Sequence, residues 1–217
     1  MTSYAEMRLQ DFSELIASDQ PVPGGGTVSA WAAATAVSLI QMVYGLTIDR
    51  KCFEPLPEAL QATFRTRAAT LTQIRDDFFT LMDSDSQAYM KVVHAFRLPK
   101  TNDAEKAIRR QSIQDAYYES ATIPLAIARQ AIALYPAILL AVEYGNPNAI
   151  SDAGVSALLT HTAVEGAVMN VRINTCALKD EQIAVTIEAE ADALLMESTA
   201  QKEHISATVF QKMAALS

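Results

Sequence analysis

Turn-forming residues are scarce. Glycine and proline number 7 and 8 among 217 residues, about 7% together against roughly 12% in average usage. That scarcity argues against a sandwich or barrel of many short strands. Cysteine occurs twice, as Cys52 and Cys176. The two are far apart with no CxxC spacing, so neither a disulfide framework nor a zinc site is indicated. Positive charge is outnumbered, 17 Lys and Arg against 25 Asp and Glu, for a net charge of −8. A chain this acidic has no general footprint for nucleic acid and no basic face for anionic lipid. An anionic ligand would need a local basic cluster. His94, His161 and His204 fall in no HExxH or HxxxH spacing, and no G-x-S-x-G elbow appears, so neither a metal site nor a serine nucleophile is supported. The polar start, Met1 to Asp11, has no signal-peptide core, and the expected compartment is the cytoplasm.

What is abundant is alanine, 37 residues in a chain that is 50% hydrophobic. High alanine with few breakers predicts long helices. The punctuation divides the chain into five or six of them, in one domain over residues 1–217. The first is expected over Tyr4–Ala17, with Leu9, Phe12, Leu15 and Ile16 on one stripe. Two prolines and three glycines between Pro21 and Gly26 then forbid continuation. Thr27–Leu46 follows as a central helix, because its many Ala and Ser residues let other backbones approach on several sides. The surrounding uncharged segment, residues 21–48, is long enough to span a bilayer. Its Ala, Ser, Thr and Gly content and Gln41 favour a buried helix of a soluble protein.

A third helix is expected over Glu58–Phe96, ended by Pro99. At 1.5 Å per residue it would be about 60 Å long, whereas a compact monomer of this size has a diameter nearer 45 Å. Either it breaks around Asp83-Ser84-Asp85 or it overshoots its own subunit and packs on another. The second alternative predicts a homodimer. Thr101–Glu143 forms the fourth piece, kinked or divided at Pro124 and Pro136. Ser151 is expected to cap a fifth helix reaching Cys176, with Asp152 in its first turn. The last, Asp180–Ala215, should turn Ile183, Ile187, Leu194 and Leu195 inward. The fold class is therefore all-α, a multihelical bundle.

Four places could carry chemistry. Gly24-Gly25-Gly26 before a helix N-terminus is an anion cradle or a tight corner. It lacks both the GK[ST] of a Walker loop and the strand of a dinucleotide fingerprint. Asp83 and Asp85 point nearly opposite ways on a helix. Asp85 shares the apolar stripe of Phe78, Leu81, Met82, Tyr89, Val92 and Phe96. Asp83 shares a mixed one. A carboxylate turned toward an apolar face has its proton affinity raised unless a cation offsets the burial, which prepares an acid or base. The rival reading is two solvated acids at a helix break. Arg50 and Lys51, and Lys100 with Arg109 and Arg110, are basic clusters suited to a polycarboxylate or simply solvated. Asn170 and Asn174 lie on one helical face, as a structural amide pair or as partners for a heterocycle edge.

Taken in order, Pro21-Val-Pro-Gly-Gly-Gly-Thr-Val-Ser-Ala30, Asp83-Ser-Asp-Ser-Gln-Ala-Tyr89, Ala95-Phe-Arg-Leu-Pro-Lys100, Pro124-Leu125, Gly145-Asn-Pro-Asn148, Ser151-Asp-Ala-Gly-Val155 and Asn170-Val-Arg-Ile-Asn174 resemble the cyclodeaminase/cyclohydrolase family of folate enzymes. The resemblance spans nearly the whole chain. It departs at Gln87, where the family commonly carries an acid. It implies an all-helical dimer acting on a one-carbon tetrahydrofolate, with no metal or redox cofactor. Asp83 or Asp85 would be the acid/base. Gly24, Gly25, Gly26, Arg50, Lys51 and Lys100 would bind the substrate's glutamate tail. Asp152, Asn170 and Asn174 would meet the pterin edge. Two reactions fit: hydrolysis of 5,10-methenyltetrahydrofolate, and ammonia-releasing closure of formiminotetrahydrofolate. The absence of a formiminotransferase domain tilts the expectation toward hydrolysis. A helical dimer without catalysis is the rival from another class.

Overall fold

Alanine-rich stretches and their breakers fold much as their spacing suggests. The computed structural model describes residues 3–215. Its helices are α1 (Leu9–Ile16), α2 (Gly25–Gly45), α3 (Glu58–Arg97), α4 (Asp103–Ile132), α5 (Tyr135–Tyr144), α6 (Ile150–Thr175) and α7 (Glu181–Ala214), with 3-10 turns at Tyr4–Glu6 and Pro147–Ala149. Met1 and Thr2, at the polar start, and the last two residues of the 1–217 domain lie outside the described residues.

Small side chains let α2 and α6 pack backbone to backbone at the centre. Ala30, Ala33, Ala36 and Val37 of α2 and Ala153, Ala157, Ala163 and Ala167 of α6 are fully buried. The two helices run antiparallel. Ser156 of α6 donates to the Ala36 carbonyl at 2.8 Å. Nearer the start of α2, a Cβ added at Gly166 would come within 2.4 Å of Ser29 Oγ. Around this pair, α3 covers α2, while α4, α5 and α7 cover α6. One continuous apolar cluster draws residues from all seven helices. Helix α2 and the segment 103–144 are long and apolar enough to cross a membrane, and 56% of each apolar window is buried inside the protein.

Several expectations are corrected. The first helix divides, because Arg8 is extended and caps a separate α1. Leu9 is then 65% exposed, and Phe12 alone of that stripe is buried. Pro136 starts a new helix within its first turn, but Pro124 stays inside α4. Ser151 caps nothing. Asn146, which reaches the Leu46 carbonyl through Nδ2, accepts instead from Asn148 N–H and starts the 3-10 turn ahead of α6. Ile183 is 40% exposed, whereas Ile187 is buried. Helix α3 does not break at Asp83–Asp85. Its 40 residues are continuous, about 60 Å of helix.

Candidate functional site

The site forms where α2 begins. The loop before it contains a cis Val22–Pro23 bond, and Gly24, in an extended conformation, hands the chain to the helix. Helix α3 crosses at this corner. Its Asp85 accepts a hydrogen bond from Thr27 Oγ1 at 2.8 Å, and Thr27 Oγ1 also lies 3.0 Å from Ser86 Oγ. The approach depends on the missing side chain of Gly26, where a Cβ would lie 2.1 Å from Asp85 Oδ1. Gly25 faces Asn170, whose Nδ2 would be 3.0 Å from an added Cβ.

A cavity of about 130 Å³ opens here, lined by Pro21, Val22, Gly24, Gly25, Asp85, Tyr89, Ser120, Asn170 and Asn174. At about 30 Å³ per water it has room for roughly four. That suits the reacting end of a ligand whose bulk lies outside. Larger grooves of about 340 and 550 Å³ lie elsewhere. Lys91 pairs with Glu119 in the first and Arg172 with Asp192 in the second, whereas the smaller cavity combines the glycine corner with a half-buried carboxylate.

Asp85 is the one carboxylate among the lining residues. Burial raises its proton affinity above the ordinary aspartate value, and hydrogen bonds from the Thr27 hydroxyl and backbone pull it partly back. The positive end of the α2 dipole also favours the anion. Asp85 is thus half-buried, held at a fixed position and able to exchange a proton.

The asparagines commit their N–H groups to backbone. Asn170 Nδ2 donates to the Gly166 carbonyl, and Asn174 Nδ2 donates to both Asn170 and Ser120 carbonyls, each at 2.8 Å. The Ser120 contact has a cause in the sequence. In a helix that carbonyl would accept from the N–H of residue 124, which is proline and has none. Asn174 supplies the missing donor. Among the described residues none donates a hydrogen bond to the amide oxygen of either asparagine, so both are available as acceptors.

The other expected site residues are placed differently. Asp83 accepts from the Tyr4 backbone N–H at 3.0 Å and fastens the N-terminal turn. It does not line the cavity. Arg50 and Lys51 are exposed in the turn after α2, at the far end of a helix about 30 Å long. Asp152 lies in the first turn of α6, 18 residues and hence about 27 Å before Asn170. Lys100 follows the end of α3, which runs 12 residues past Asp85, about 18 Å. Within one chain these four do not meet the cavity. Gln87 is exposed outside it. Tyr89 and Ser120 complete the lining. Tyr89 follows Asp85 by one helical turn, which the stripe indicated. Nothing local in the sequence marked Ser120, because its position depends on α4 lying beside α6.

Among the described residues no three His, Cys, Asp or Glu side chains converge as metal ligands. An open polar cavity with one half-buried carboxylate, at the N-terminus of a central helix in an all-α bundle, is the candidate small-molecule site.

Comparison with known proteins gives that class its family. Residues 8–193 match the family model described as formiminotransferase-cyclodeaminase, and the chain belongs to that family. It is 32% identical over 205 residues to a methenyltetrahydrofolate cyclohydrolase of Methylorubrum extorquens, covering 94% of this chain and 97% of that one. It is 29% identical over 202 residues to the formimidoyltransferase-cyclodeaminase of Mus musculus, covering 92% of this chain but 36% of the longer mouse protein. A crystal structure of formiminotetrahydrofolate cyclodeaminase from Thermotoga maritima superimposes with a TM-score of 0.79 at 26% identity, covering 98% of both chains. The fold is the cyclodeaminase fold, and the chain has the general activity of this family on folate substrates.

Proposed function

We propose that the chain hydrolyses 5,10-methenyltetrahydrofolate to 10-formyltetrahydrofolate, with Asp85 as base and electrostatic partner. The observation that carries this reading is the Asp85 carboxylate, half-buried and facing a cavity of a few waters' volume. The substrate's bridging carbon belongs to a cationic amidinium. A fixed carboxylate beside it favours the charged species and the attack on it. Water adds to that carbon and gives a proton to Asp85. The N5–carbon bond then opens with N5 taking up a proton, and the added oxygen loses its hydrogen to become the formyl carbonyl. One proton is released overall. The cyclohydrolase relative of nearly equal length supports the choice of reaction.

A second reading is favoured by the cyclodeaminase structure of the same fold. There N10 attacks the formimino carbon, ammonia leaves and Asp85 relays the proton. The test is direct. The chain is mixed with methenyltetrahydrofolate while its absorbance is followed, and in parallel with formiminotetrahydrofolate while ammonia is measured. Fast loss of absorbance without ammonia release supports hydrolysis. The reverse assigns the cyclodeaminase, and inertness toward both leaves the helical scaffold.

The homodimer is proposed on the continuous α3 and on the exposed Met169, Ile173, Met196 and Phe210 of α6 and α7. Light scattering at the mass of two chains supports it, and the mass of one overturns it.

A further inference from the structure

We propose that Ser120 is a further substrate-contacting residue, its hydroxyl donating to the oxygen that attacks the one-carbon unit opposite Asp85. This rests on the hydrolytic reading above. Among the described residues nine Ser and Thr are buried. Eight have a partner for the hydroxyl: Thr27 on Asp85, Ser86 on Thr27, Ser156 on Ala36, Ser198 on Tyr135, and Ser29, Thr47, Thr160 and Thr175 on carbonyls three or four residues earlier. Ser120 is the ninth. It is 4% exposed, and its Oγ has no partner among the described residues.

Helical Ser and Thr in this chain habitually bond back to the carbonyl four residues earlier, as Ser29, Thr35, Ser38 and Ser84 do. Ser120 makes no such bond, and it is one of the residues that line the cavity. Leaving a buried hydroxyl unpaired is costly, and a molecule in the cavity relieves that cost. The backbone beneath it is held by the Asn174 bond that replaces the one lost to Pro124, so the hydroxyl is presented from a fixed base.

The choice of the attacking oxygen follows from counting donors and acceptors. Asp85 and the amide oxygens of Asn170 and Asn174 offer acceptors to the cavity. A water there donates both hydrogens to such acceptors and needs a donor for one lone pair. The Ser120 O–H supplies it, leaving the second lone pair for the carbon.

The test compares the full-length chain with Ser120→Ala and Ser120→Thr, reading kcat and KM for methenyltetrahydrofolate together with Tm. Ser120→Ala should lower kcat by about 10²-fold, the scale of one lost donor to a reacting oxygen, with KM little changed. Its Tm should hold or rise, because an unpaired buried group has been removed. Ser120→Thr, which keeps the hydroxyl, should recover part of kcat. A merely structural serine predicts a lower Tm with kcat per folded enzyme intact. That result, or wild-type kcat in Ser120→Ala, overturns the proposal. If the wild type does not hydrolyse the methenyl compound, the proposed reaction fails, and Ser120 is judged by the melting shift with 5-formyltetrahydrofolate. A shift present in wild type and lost in Ser120→Ala keeps Ser120 as a contact residue. Equal shifts, or none in either, reject it.

Discussion

Replacing Gly26 by alanine should disable the site while the chain remains folded. The added Cβ would lie 2.1 Å from Asp85 Oδ1, 2.6 Å from Cγ and 2.8 Å from Oδ2, where ordinary contact begins at 3.4 Å. The carboxylate must therefore retreat by roughly 1.3 Å, stretching its 2.8 Å bond from Thr27, and a displacement of about 1 Å in a reacting group costs on the order of 10²-fold in rate. Overpacking costs about 1–3 kcal/mol, and alanine's helical preference over glycine offsets about 1 kcal/mol of it. The net loss is up to about 2 kcal/mol, a fall in Tm of at most about 8 °C for a chain of this length. The neighbouring glycines act as controls. At Gly24 an added Cβ meets nothing within 4 Å, so Gly24→Ala should leave Asp85 in place and Tm unchanged, and any effect on rate should be smaller than at Gly26. At Gly25 it meets Asn170 Nδ2 at 3.0 Å, so the effect should be intermediate. Initial rates of methenyltetrahydrofolate loss and thermal melts of the three variants give the order directly. Equal rates for Gly26→Ala and Gly24→Ala would refute the packing of Asp85 on the α2 N-terminus.

Other outcomes follow from the same geometry. Asp85→Asn should reduce kcat by about 10²–10⁴-fold, the scale of a lost general base, yet raise stability at neutral pH. The native state binds the Asp85 proton more tightly than the unfolded chain, whose aspartate value is 3.8. Wild-type stability therefore falls as pH rises from that value through the native one. Melts across pH 3 to 8 should show the Asn variant's advantage appearing over that window and absent below it. For the same reason, wild-type kcat/KM should fall on the acid side at a pH above 3.8. Asn174→Ala should lower stability by about 1–3 kcal/mol by orphaning the Ser120 carbonyl. The penalty should shrink in a Pro124→Ala background, where the helix supplies its own N–H, and a double-mutant cycle on Tm measures the difference. Arg50→Ala with Lys51→Ala should leave KM unchanged if the site lies within one chain, and a raised KM would place that turn at the cavity of a second copy.

Helix content, the glycine corner and the aspartate that lines the cavity were legible along the chain, because each depends on neighbours within a turn or two. Alanine density and proline positions set the helices, and the stripe through Phe78, Met82 and Tyr89 singled out Asp85. Where the local signals misled, a partner distant in sequence had decided the matter. Asp83 is occupied by the Tyr4 backbone 79 residues earlier. Pro124 is tolerated within α4 because Asn174 repairs the hydrogen bond it removes. Ser151 gave way to Asn146, which is held by Thr47 and Leu46.

The amino-acid order by itself determined an all-helical chain with a glycine corner before its central helix and an acid facing apolar neighbours, since periodicity and breaker placement act over a few residues. Only the packing of α2, α3, α4 and α6 decided that Asp85 closes on Gly26, that Asn170, Asn174 and Ser120 share its cavity, and that Arg50, Lys51 and Asp152 stand at the opposite end of the bundle. Helix direction and length convert positions in a sequence into distances in space, and those distances separate residues that composition alone would group together.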